Sequence, residues 1–262
     1  MIFATDLDRT MIYSEKFINN ENRTSVIGYQ DGKIKSYMTR KAKILLDELK
    51  EKITIIPCTT RARDQYERVP YFQDCKYAIC ANGAIILKDG EEDPQWKAVM
   101  QENLLMCIRE METYKKDLEK ESFVRKGVVK VVDGYFLFFR VEDMLDCLKY
   151  LEMNVDKNKF YYSISTTKVY IFPKFVSKEH SLRYLIDKIG DKNIVVAGDS
   201  DVDFKMMKLA TKGAFVPVYG TATIENSVKD VTLIHDSGVL AGEIILQEVK
   251  NILDKEETKD VN

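Results

Sequence analysis

Short, continuously apolar segments alternate with segments of helical periodicity over much of the chain. The first apolar segment, IFAT, has the length and composition of a strand covered on both faces of a sheet. Similar segments recur as ITIIPC, NIVVAG, GAFVPV and VTLIHD. Between them lie helical patterns such as TRKAKILLDELKEK, where Thr39 is placed as a cap and Ile44, Leu45 and Leu49 follow the helical period. The alternation predicts a parallel sheet flanked by helices.

The middle of the chain follows a different order of elements. Residues 97–121 and the segment EDMLDCLKYLEMN are typical of helices, whereas VRKGVVKVVDGYFLFFRV and YYSISTTKVYIFP are typical of antiparallel strands. This order predicts a small α+β module inserted between two halves of the parallel-sheet core. We place the module at residues 89–174 and the α/β, Rossmann-like core at residues 1–88 and 175–262.

Two smaller features complete the expected fold. The pair Asp31-Gly32 lies between alternating apolar and polar positions, which predicts a hairpin after the first strand. The last segment, KEETKDVN, is polar and charged, so we expect it to be frayed.

Composition narrows the class of protein. The 262 residues include 40 basic and 42 acidic side chains, and a net charge of −2 gives no electrostatic reason to expect nucleic acid or a membrane as partner. No apolar run approaches the roughly 18 residues of a membrane span, and the first residues lack a signal-peptide pattern. The five cysteines form no CxxC pair, and their odd number argues against a disulfide framework. We therefore expect a soluble, cytoplasmic protein, whose oligomeric state the sequence does not indicate.

Acidic and hydroxyl side chains, together with Arg61, are concentrated directly after three of the expected strands. They are Asp6, Asp8 and Thr10 after IFAT; Thr59, Thr60 and Arg61 after ITIIPC; and Asp199, Asp201 and Asp203 after NIVVAG. Carboxylates at buried strand ends are costly unless a cation or hydrogen-bond donors compensate them. Ligands of open parallel sheets bind beyond the carboxyl ends of the strands, so we expect these side chains to share one site.

The residue types indicate phosphoryl transfer. Carboxylates suit a hard cation such as Mg²⁺, while hydroxyls and Lys178, at the start of a later helix, suit the oxygens of a phosphate. In this interpretation Asp6 attacks phosphorus, and Asp8 protonates the leaving oxygen and then activates water against the aspartyl-phosphate. A metal ion and Lys178 would offset the negative charges of the Asp6 carboxylate and of the phosphate.

At this point the sequence resembles the haloacid dehalogenase-like phosphatases, whose four motifs occur in the order DxDxT, Thr/Ser, Lys and GDxxxD. The matching segments here are DLDRT (6–10), Thr59 in IIPCTTR, Lys178 in VSKEHSLRYL and GDSDVD (198–203). The resemblance covers both core segments.

The resemblance implies a role for each matched residue. Asp6 would be the nucleophile, Asp8 the acid/base, and Thr59 and Lys178 phosphate ligands. Mg²⁺ would be held by Asp6, the backbone carbonyl of Asp8 and Asp199, with Asp203 close by. We add Thr60 and Arg61 as weaker phosphate-binding candidates because they adjoin Thr59.

The position of the insertion and the loop ANGA (81–84) resemble one branch of this family, which contains sucrose-phosphate phosphatase, phosphomannomutase and the Cof-type sugar phosphatases. This likeness implies that residues 89–174 form a cap and that Asn82 contacts substrate. The predicted function is Mg²⁺-dependent hydrolysis of a small phosphorylated metabolite, such as a sugar phosphate. A phosphomutase of the same fold and a non-catalytic phosphate-ligand-binding protein are the alternatives.

Three positions depart from the usual motifs of the family. Arg9 replaces the common glycine of DxDGT, Thr60 replaces the glycine of TGR, and Val202 replaces the asparagine of GDSxND. None of these changes removes a residue assigned to the metal, to the phosphate or to catalysis.

Overall fold

The computed structural model describes residues 1–18, 24–30, 32–218, 231–236 and 238–259. Within these ranges, no helix combines the length and the apolar character that crossing a membrane requires.

Two compact units make up the structure. The core unit consists of residues 1–92 and 178–262, and the inserted unit consists of residues 93–177. The inserted unit begins four residues later and ends three residues later than the module expected from the sequence (93 against 89, and 177 against 174).

The described helices and strands are interspersed along the chain. In chain order they are β1 (Ile2–Thr5), β2 (Thr24–Gln30), β3 (Lys33–Thr39), α1 (Arg40–Lys50), β4 (Thr54–Pro57), α2 (Arg63–Tyr66), β5 (Tyr77–Cys80), β6 (Ile85–Lys88), β7 (Glu91–Glu92), α3 (Pro94–Leu105), α4 (Ile108–Leu118), β8 (Lys130–Val132), β9 (Phe136–Arg140), α5 (Met144–Asn154), β10 (Phe160–Ser165), β11 (Lys168–Pro173), α6 (Lys178–Ile189), β12 (Ile194–Ala197), α7 (Asp201–Met207), β13 (Gly213–Pro217), β14 (Val231–Ile234) and α8 (Val239–Lys259).

A parallel sheet of order β14-β13-β12-β1-β4 forms the centre of the core unit. Strands β1 and β12 are buried at every position, which explains why their sequences are continuously apolar. In the register, Thr5 of β1 is opposite Ala197 of β12 and Pro57 of β4. Three adjacent strands therefore end at the same level, and the residues that follow them meet at one edge of the sheet.

Helix α1 begins at the predicted cap, but one apolar residue of its helical pattern is exposed. The Thr39 hydroxyl accepts a hydrogen bond from the Ala42 amide at 2.9 Å. The buried residues of the helix are Ala42, Leu45, Leu46 and Leu49. Ile44, which shares the helical spacing of Leu45 and Leu49 in the sequence, is 59% exposed. The buried stripe therefore includes Leu46 and not Ile44, and it lies on the side of the helix that contacts α8 and β3.

Two small antiparallel sheets extend the core unit. Strands β2 and β3 form the hairpin predicted after the first strand, and Gly32 in its turn has φ +70°. Asp31, the other turn residue, lies outside the described residues. Strands β5, β6 and β7 form a second sheet, and the segment ANGA lies in the turn between β5 and β6.

The inserted unit is an open-faced α+β layer. Its sheet has the order β10-β11-β9-β8, and residues of α4 and α5 form one apolar cluster with the inward side chains of three of these strands. The hairpin predicted around Asp133-Gly134 is present, with both turn residues at positive φ. Residues 97–121, expected to be helical, are two helices, because the backbone at Cys107 leaves the helical conformation.

The end of the chain is more ordered than its polarity indicates. Helix α8 continues to Lys259, so the expectation of a frayed KEETKDVN segment is wrong up to that residue. Leu253 is buried, and Glu256 and Glu257 pair with Lys212 and Lys52 of the core unit. Residues 260–262 lie outside the described part of the chain.

Candidate active site

Four segments of the core unit meet at the carboxyl edge of the parallel sheet. Asp6 follows β1, Thr59 lies beyond β4, Asp199 follows β12, and Lys178 is the first residue of α6. The backbone joins the strand ends, since the Asp6 amide donates to the Ala197 carbonyl at 2.9 Å. The expectation that these segments share one site agrees with this geometry.

The Asp6 carboxylate is buried and has two side-chain donors. Lys178 Nζ lies 2.6 Å from its Oδ1, and Thr10 Oγ1 donates to its Oδ2 at 3.3 Å. Burial is the main cause that raises the pKa of Asp6 to about 7; Lys178 opposes this shift, and the carboxylates of Asp203 and Asp8 add to it. Asp6 is thus a carboxyl whose charge burial disfavours and the adjacent Lys178 favours.

Lys178 is the buried cation that joins two carboxylates. Lys178 is 1% exposed, and its Nζ lies 2.6 Å from Asp6 Oδ1 and 2.7 Å from Asp203 Oδ1. Burial disfavours its charge, but Asp203 and Asp6 outweigh burial and raise the pKa of Lys178 above its ordinary value. The lysine therefore stays charged and holds two anions that would otherwise repel each other.

Asp203 is fixed from several directions. Its Oδ1 accepts from Lys178, while its Oδ2 accepts from the Asp199 amide at 3.2 Å and from the Ser200 amide and hydroxyl at 3.1 and 2.8 Å. Gly198 leaves room for this arrangement, since a Cβ there would lie 2.5 Å from Asp203 Cβ. The donors to Asp203 come from residues other than Val202, whose own amide is bonded to Asp201 Oδ1.

Asp199 completes a group of three buried carboxylates. One oxygen from each of Asp6, Asp199 and Asp203 lies within 4.8 Å of the others. Burial first, and then the charges of Asp6 and Asp203, raise the pKa of Asp199 well above its ordinary value, while Arg9 opposes the shift. A donor set made entirely of carboxylate oxygens fits a hard divalent cation.

Two arginines, Arg61 and Arg9, form ion pairs with carboxylates at the outer side of this group. Arg61 donates from Nε and Nη2 to the two oxygens of Asp8, both at 2.7 Å, and from Nη1 to the Gln65 carbonyl at 3.2 Å. Burial opposes the charge of Arg61, but the hydrogen bond to Asp8 outweighs it and raises the pKa of the guanidinium. Arg9 Nε lies 3.1 Å from Asp199 Oδ2.

Hydrogen bonds that involve the backbone connect Thr59, Arg61 and Asn82 at the same edge of the sheet. Thr59 is buried, and its hydroxyl accepts from the Arg61 amide at 3.1 Å. The Asn82 amide donates to the Thr59 carbonyl at 2.9 Å, so the turn after β5 is tied to the loop after β4. Asn82 is buried and has φ 56°, whereas Thr60 is partly exposed.

One feature of this site was not predicted from the sequence. Arg9 was noted as a departure from a common glycine, but its ion pair with Asp199 was not expected. Its φ of 68° shows why glycine suits the position, because L side chains rarely adopt this conformation. In the sequence, an arginine in place of the usual glycine of an acidic motif is the signal that could have indicated a side-chain role.

The family to which the protein belongs follows from a comparison of its sequence. Residues 109–241, just over half of the chain, match the haloacid dehalogenase-like hydrolases. The chain belongs to this family, and the resemblance seen in the four motifs is confirmed. No curated protein matches the chain at a significant level.

Solved structures show the same fold over nearly the whole chain. The sucrose-phosphatase from Synechocystis sp. PCC6803, in complex with sucrose and phosphate, is 13% identical with a TM-score of 0.64, over 96% of this chain and 97% of that one. A trehalose-6-phosphate phosphatase related protein is 14% identical with a TM-score of 0.59, over 98% and 100%. The Aspergillus fumigatus trehalose-6-phosphate phosphatase is 12% identical with a TM-score of 0.52, over 95% and 92%. These likenesses confirm the predicted fold class.

The raised pKa of Asp6 predicts a pH dependence of stability. The folded carboxyl keeps its proton to about pH 7, whereas the unfolded one loses it near 3.8, so the folded protein binds more protons between these values. The free energy of unfolding should therefore fall as pH rises through this window, by about 1.4 kcal/mol per pH unit from this group. Urea unfolding in EDTA measures it as the difference between wild type and Asp6→Asn. A difference that does not change with pH would contradict the assignment.

Proposed function

We propose that the protein is a Mg²⁺-dependent phosphomonoesterase that hydrolyses a small phosphorylated metabolite through an aspartyl-phosphate on Asp6. The observation that carries the proposal is the buried Asp6 carboxylate at a strand end, held 2.6 Å from the Lys178 ammonium and grouped with Asp199 and Asp203. A buried anion with a fixed cation beside it is a nucleophile prepared to meet a dianionic phosphate.

The metal would be held by oxygen ligands only. Asp6, Asp199 and the backbone carbonyl of Asp8 are the proposed ligands, and the charges of all three carboxylates in the group would attract the ion. When bound, Mg²⁺ supplies positive charge that offsets the repulsion between the Asp6 carboxylate and the phosphate.

Asp203 belongs to the predicted metal set, and its contacts favour a positioning role. One oxygen is bonded to Lys178, and the other accepts three hydrogen bonds from residues 199 and 200. The residue thus aligns Lys178 and the loop that carries Asp199.

The chemistry then follows from the residues of this chain. An Asp6 oxygen forms a bond to phosphorus as the bond from phosphorus to the ester oxygen breaks, and Asp8 gives its proton to the departing oxygen. Asp8, now ionised, takes a proton from water as the water oxygen attacks the phosphorus of the aspartyl-phosphate. Inorganic phosphate leaves and Asp6 is regenerated. Lys178 and Thr59 contact the phosphate oxygens during both steps.

Arg61 couples phosphate binding to the release of Asp8. Its guanidinium now engages both oxygens of Asp8, and a carboxyl so engaged is not a proton donor. A phosphate dianion would compete for the same bidentate donor. We propose that Arg61 turns to the phosphate when substrate binds, and that the released Asp8 carboxylate takes up a proton from solvent, which it then gives to the departing ester oxygen.

Substitution of Asp8 tests its role in proton transfer. We expect Asp8→Asn to lower turnover of alkyl phosphates by about 10²–10⁴-fold, the usual contribution of a general acid or base. The first chemical step on p-nitrophenyl phosphate should suffer least, because its leaving group needs little protonation. Rapid-quench kinetics separates the two steps, and Asp187→Asn, an exposed carboxylate on α6, is the matched control. An equal loss of rate in both steps for every leaving group would show that Asp8 has only a structural role.

We further propose that the inserted unit selects the substrate. The sheet face opposite α4 and α5 carries a row of aromatic rings in contact. Tyr170 stacks on Phe172 with ring centroids 5.6 Å apart, Phe172 stacks on Tyr161 at 5.1 Å, and Phe138 lies 5.2 Å from Tyr170. Phe172 is buried, whereas Tyr161, Tyr170 and Phe138 are partly exposed. Partly exposed rings of this kind suit the apolar face of a sugar ring, and the structural neighbours named above include sugar-phosphate phosphatases.

A substitution in this aromatic row tests the selection of substrate. We expect Tyr170→Ala to raise KM for the preferred metabolite by about tenfold, the loss of roughly one aromatic contact, while turnover of p-nitrophenyl phosphate changes less than about twofold. Tyr162→Ala, on the neighbouring strand with its ring on the opposite face, is the control for loss of packing. An unchanged order of preference among metabolites in Tyr170→Ala would place specificity elsewhere.

A turnover screen tests the proposed function as a whole. Phosphorylated metabolites are incubated with the protein in Mg²⁺ or in EDTA, and inorganic phosphate and isomerised sugar phosphates are measured separately. Release of inorganic phosphate only in Mg²⁺ supports the phosphomonoesterase. An isomerised product would identify a phosphomutase, and binding without turnover would identify a phosphate-ligand-binding protein.

A further inference from the structure

Arg9 has an unusual combination of backbone conformation and side-chain contact. Its φ of 68° is strained for any residue with a Cβ, so the backbone alone gives no reason for an arginine there. Its guanidinium Nε lies 3.1 Å from Asp199 Oδ2. The side chain of Asp199 is 6% exposed, whereas that of Arg9 is 35% exposed. A partly solvated cation thus reaches a buried anion.

The three grouped carboxylates, Asp6, Asp199 and Asp203, are paired with two different cations. Lys178 is fully buried and lies between Asp6 and Asp203. Arg9 contacts the remaining carboxylate of the group, Asp199, from the solvent side. Lys178 cannot leave without exposing two buried anions, whereas the Arg9 side chain is flexible and already partly hydrated, so turning it into water costs less than moving Lys178.

We propose that Arg9 competes with the divalent cation for Asp199, so that the chain carries its own competitor for metal binding. This inference rests on the proposed function, because it needs Asp199 to be a metal ligand. An Asp199 oxygen that accepts the Arg9 N–H is not available in full to a metal ion, and positive charge beside the carboxylate also repels the incoming cation. Binding of the metal therefore includes the cost of releasing Arg9.

Calorimetric titration of the full chain with MgCl₂ tests the competition. The protein is first stripped with EDTA, and the titration is run without substrate at mildly alkaline pH. Arg9→Gln removes the charge, Arg9→Gly removes the charge and also relieves the positive φ, and Arg9→Lys retains the charge. Arg183→Gln, which removes an exposed arginine paired with Glu179 on α6, is the control for net charge.

We expect Arg9→Gln and Arg9→Gly to bind Mg²⁺ about tenfold more tightly than wild type, the equivalent of one charge-assisted hydrogen bond. Arg9→Lys should lie closer to wild type, and Arg183→Gln should equal it. Thermal unfolding gives a second reading: Mg²⁺ should raise the Tm of Arg9→Gly by more than that of wild type, since the metal then replaces a missing counter-charge.

The possible failures are separable. If wild type binds no Mg²⁺, the proposed function loses its metal and the inference falls with it. If wild type binds Mg²⁺ but Arg9→Gly and Arg9→Gln bind it equally or more weakly, the competition is refuted while the proposed function stands. Tighter binding by Arg183→Gln as well would show a general effect of net charge and would also refute the role of Arg9.

Discussion

Asp6→Asn should reduce phosphate release by more than about 10⁴-fold, because it replaces the carboxylate proposed to attack phosphorus by a neutral amide, which is a poor nucleophile. The substitution retains the size of the side chain, and Lys178 keeps its contact of 2.7 Å with Asp203, so the fold should be preserved. Steady-state turnover in Mg²⁺, together with circular dichroism of the purified variant, measures both expectations.

Two comparisons make this result specific. Asp187→Asn, which removes an exposed carboxylate from α6, should retain the wild-type rate. Wild type in EDTA should be as inactive as Asp6→Asn in Mg²⁺. Turnover by Asp6→Asn within tenfold of wild type would exclude Asp6 as the nucleophile, and full wild-type activity in EDTA would exclude the metal.

Lys178→Met should produce the largest loss of stability. The lysine is 1% exposed and is bonded to two buried carboxylates, and methionine has a similar length without the charge. Removal of one partner from a buried ionic cluster leaves unpaired charge in a low-dielectric region, which costs about 3–5 kcal/mol. Urea unfolding near neutral pH measures this loss as a difference in the free energy of unfolding.

The pH dependence identifies the origin of the loss. Lys178 opposes the rise of the Asp6 pKa, so without it Asp6 should bind a proton more readily, and the destabilisation should shrink as the pH is lowered and this carboxyl becomes neutral. Lys192→Met, at an exposed position before β12, should change stability by less than about 0.5 kcal/mol. A loss below about 1 kcal/mol in Lys178→Met would show that the ion cluster is dispensable for folding.

Much of the fold could be predicted because burial leaves a clear pattern in the sequence. A strand covered on both faces is continuously apolar, as in β1, and a capping threonine marks the start of α1. The position of Ile44 could not be predicted, because the choice between neighbouring helical faces is made by contact with α8 and β3, which are distant in sequence. The break between α3 and α4 has no proline or glycine to indicate it.

The candidate site, like the fold, could be predicted from the sequence only in part. That Asp6, Thr59 and Asp199 meet follows from the rule that parallel strands end at one edge of a sheet. The pairing of particular oxygens with particular cations does not follow from any sequence pattern. Arg61 engages Asp8, and Arg9 engages Asp199, because the folded backbone brings them within reach, and motif spacing contains no such distance.

The most direct test of the account is chemical trapping of the aspartyl-phosphate. The protein is mixed with excess substrate and Mg²⁺, quenched in acid and reduced with borohydride, which converts an aspartyl-phosphate to homoserine, and the peptides are then analysed by mass spectrometry. Asp8→Asn provides a parallel sample in which slow hydrolysis should increase the trapped fraction. The account predicts homoserine at position 6, and only when Mg²⁺ is present. Substrate turnover with an unmodified Asp6 in both samples, or modification at another residue, would contradict it.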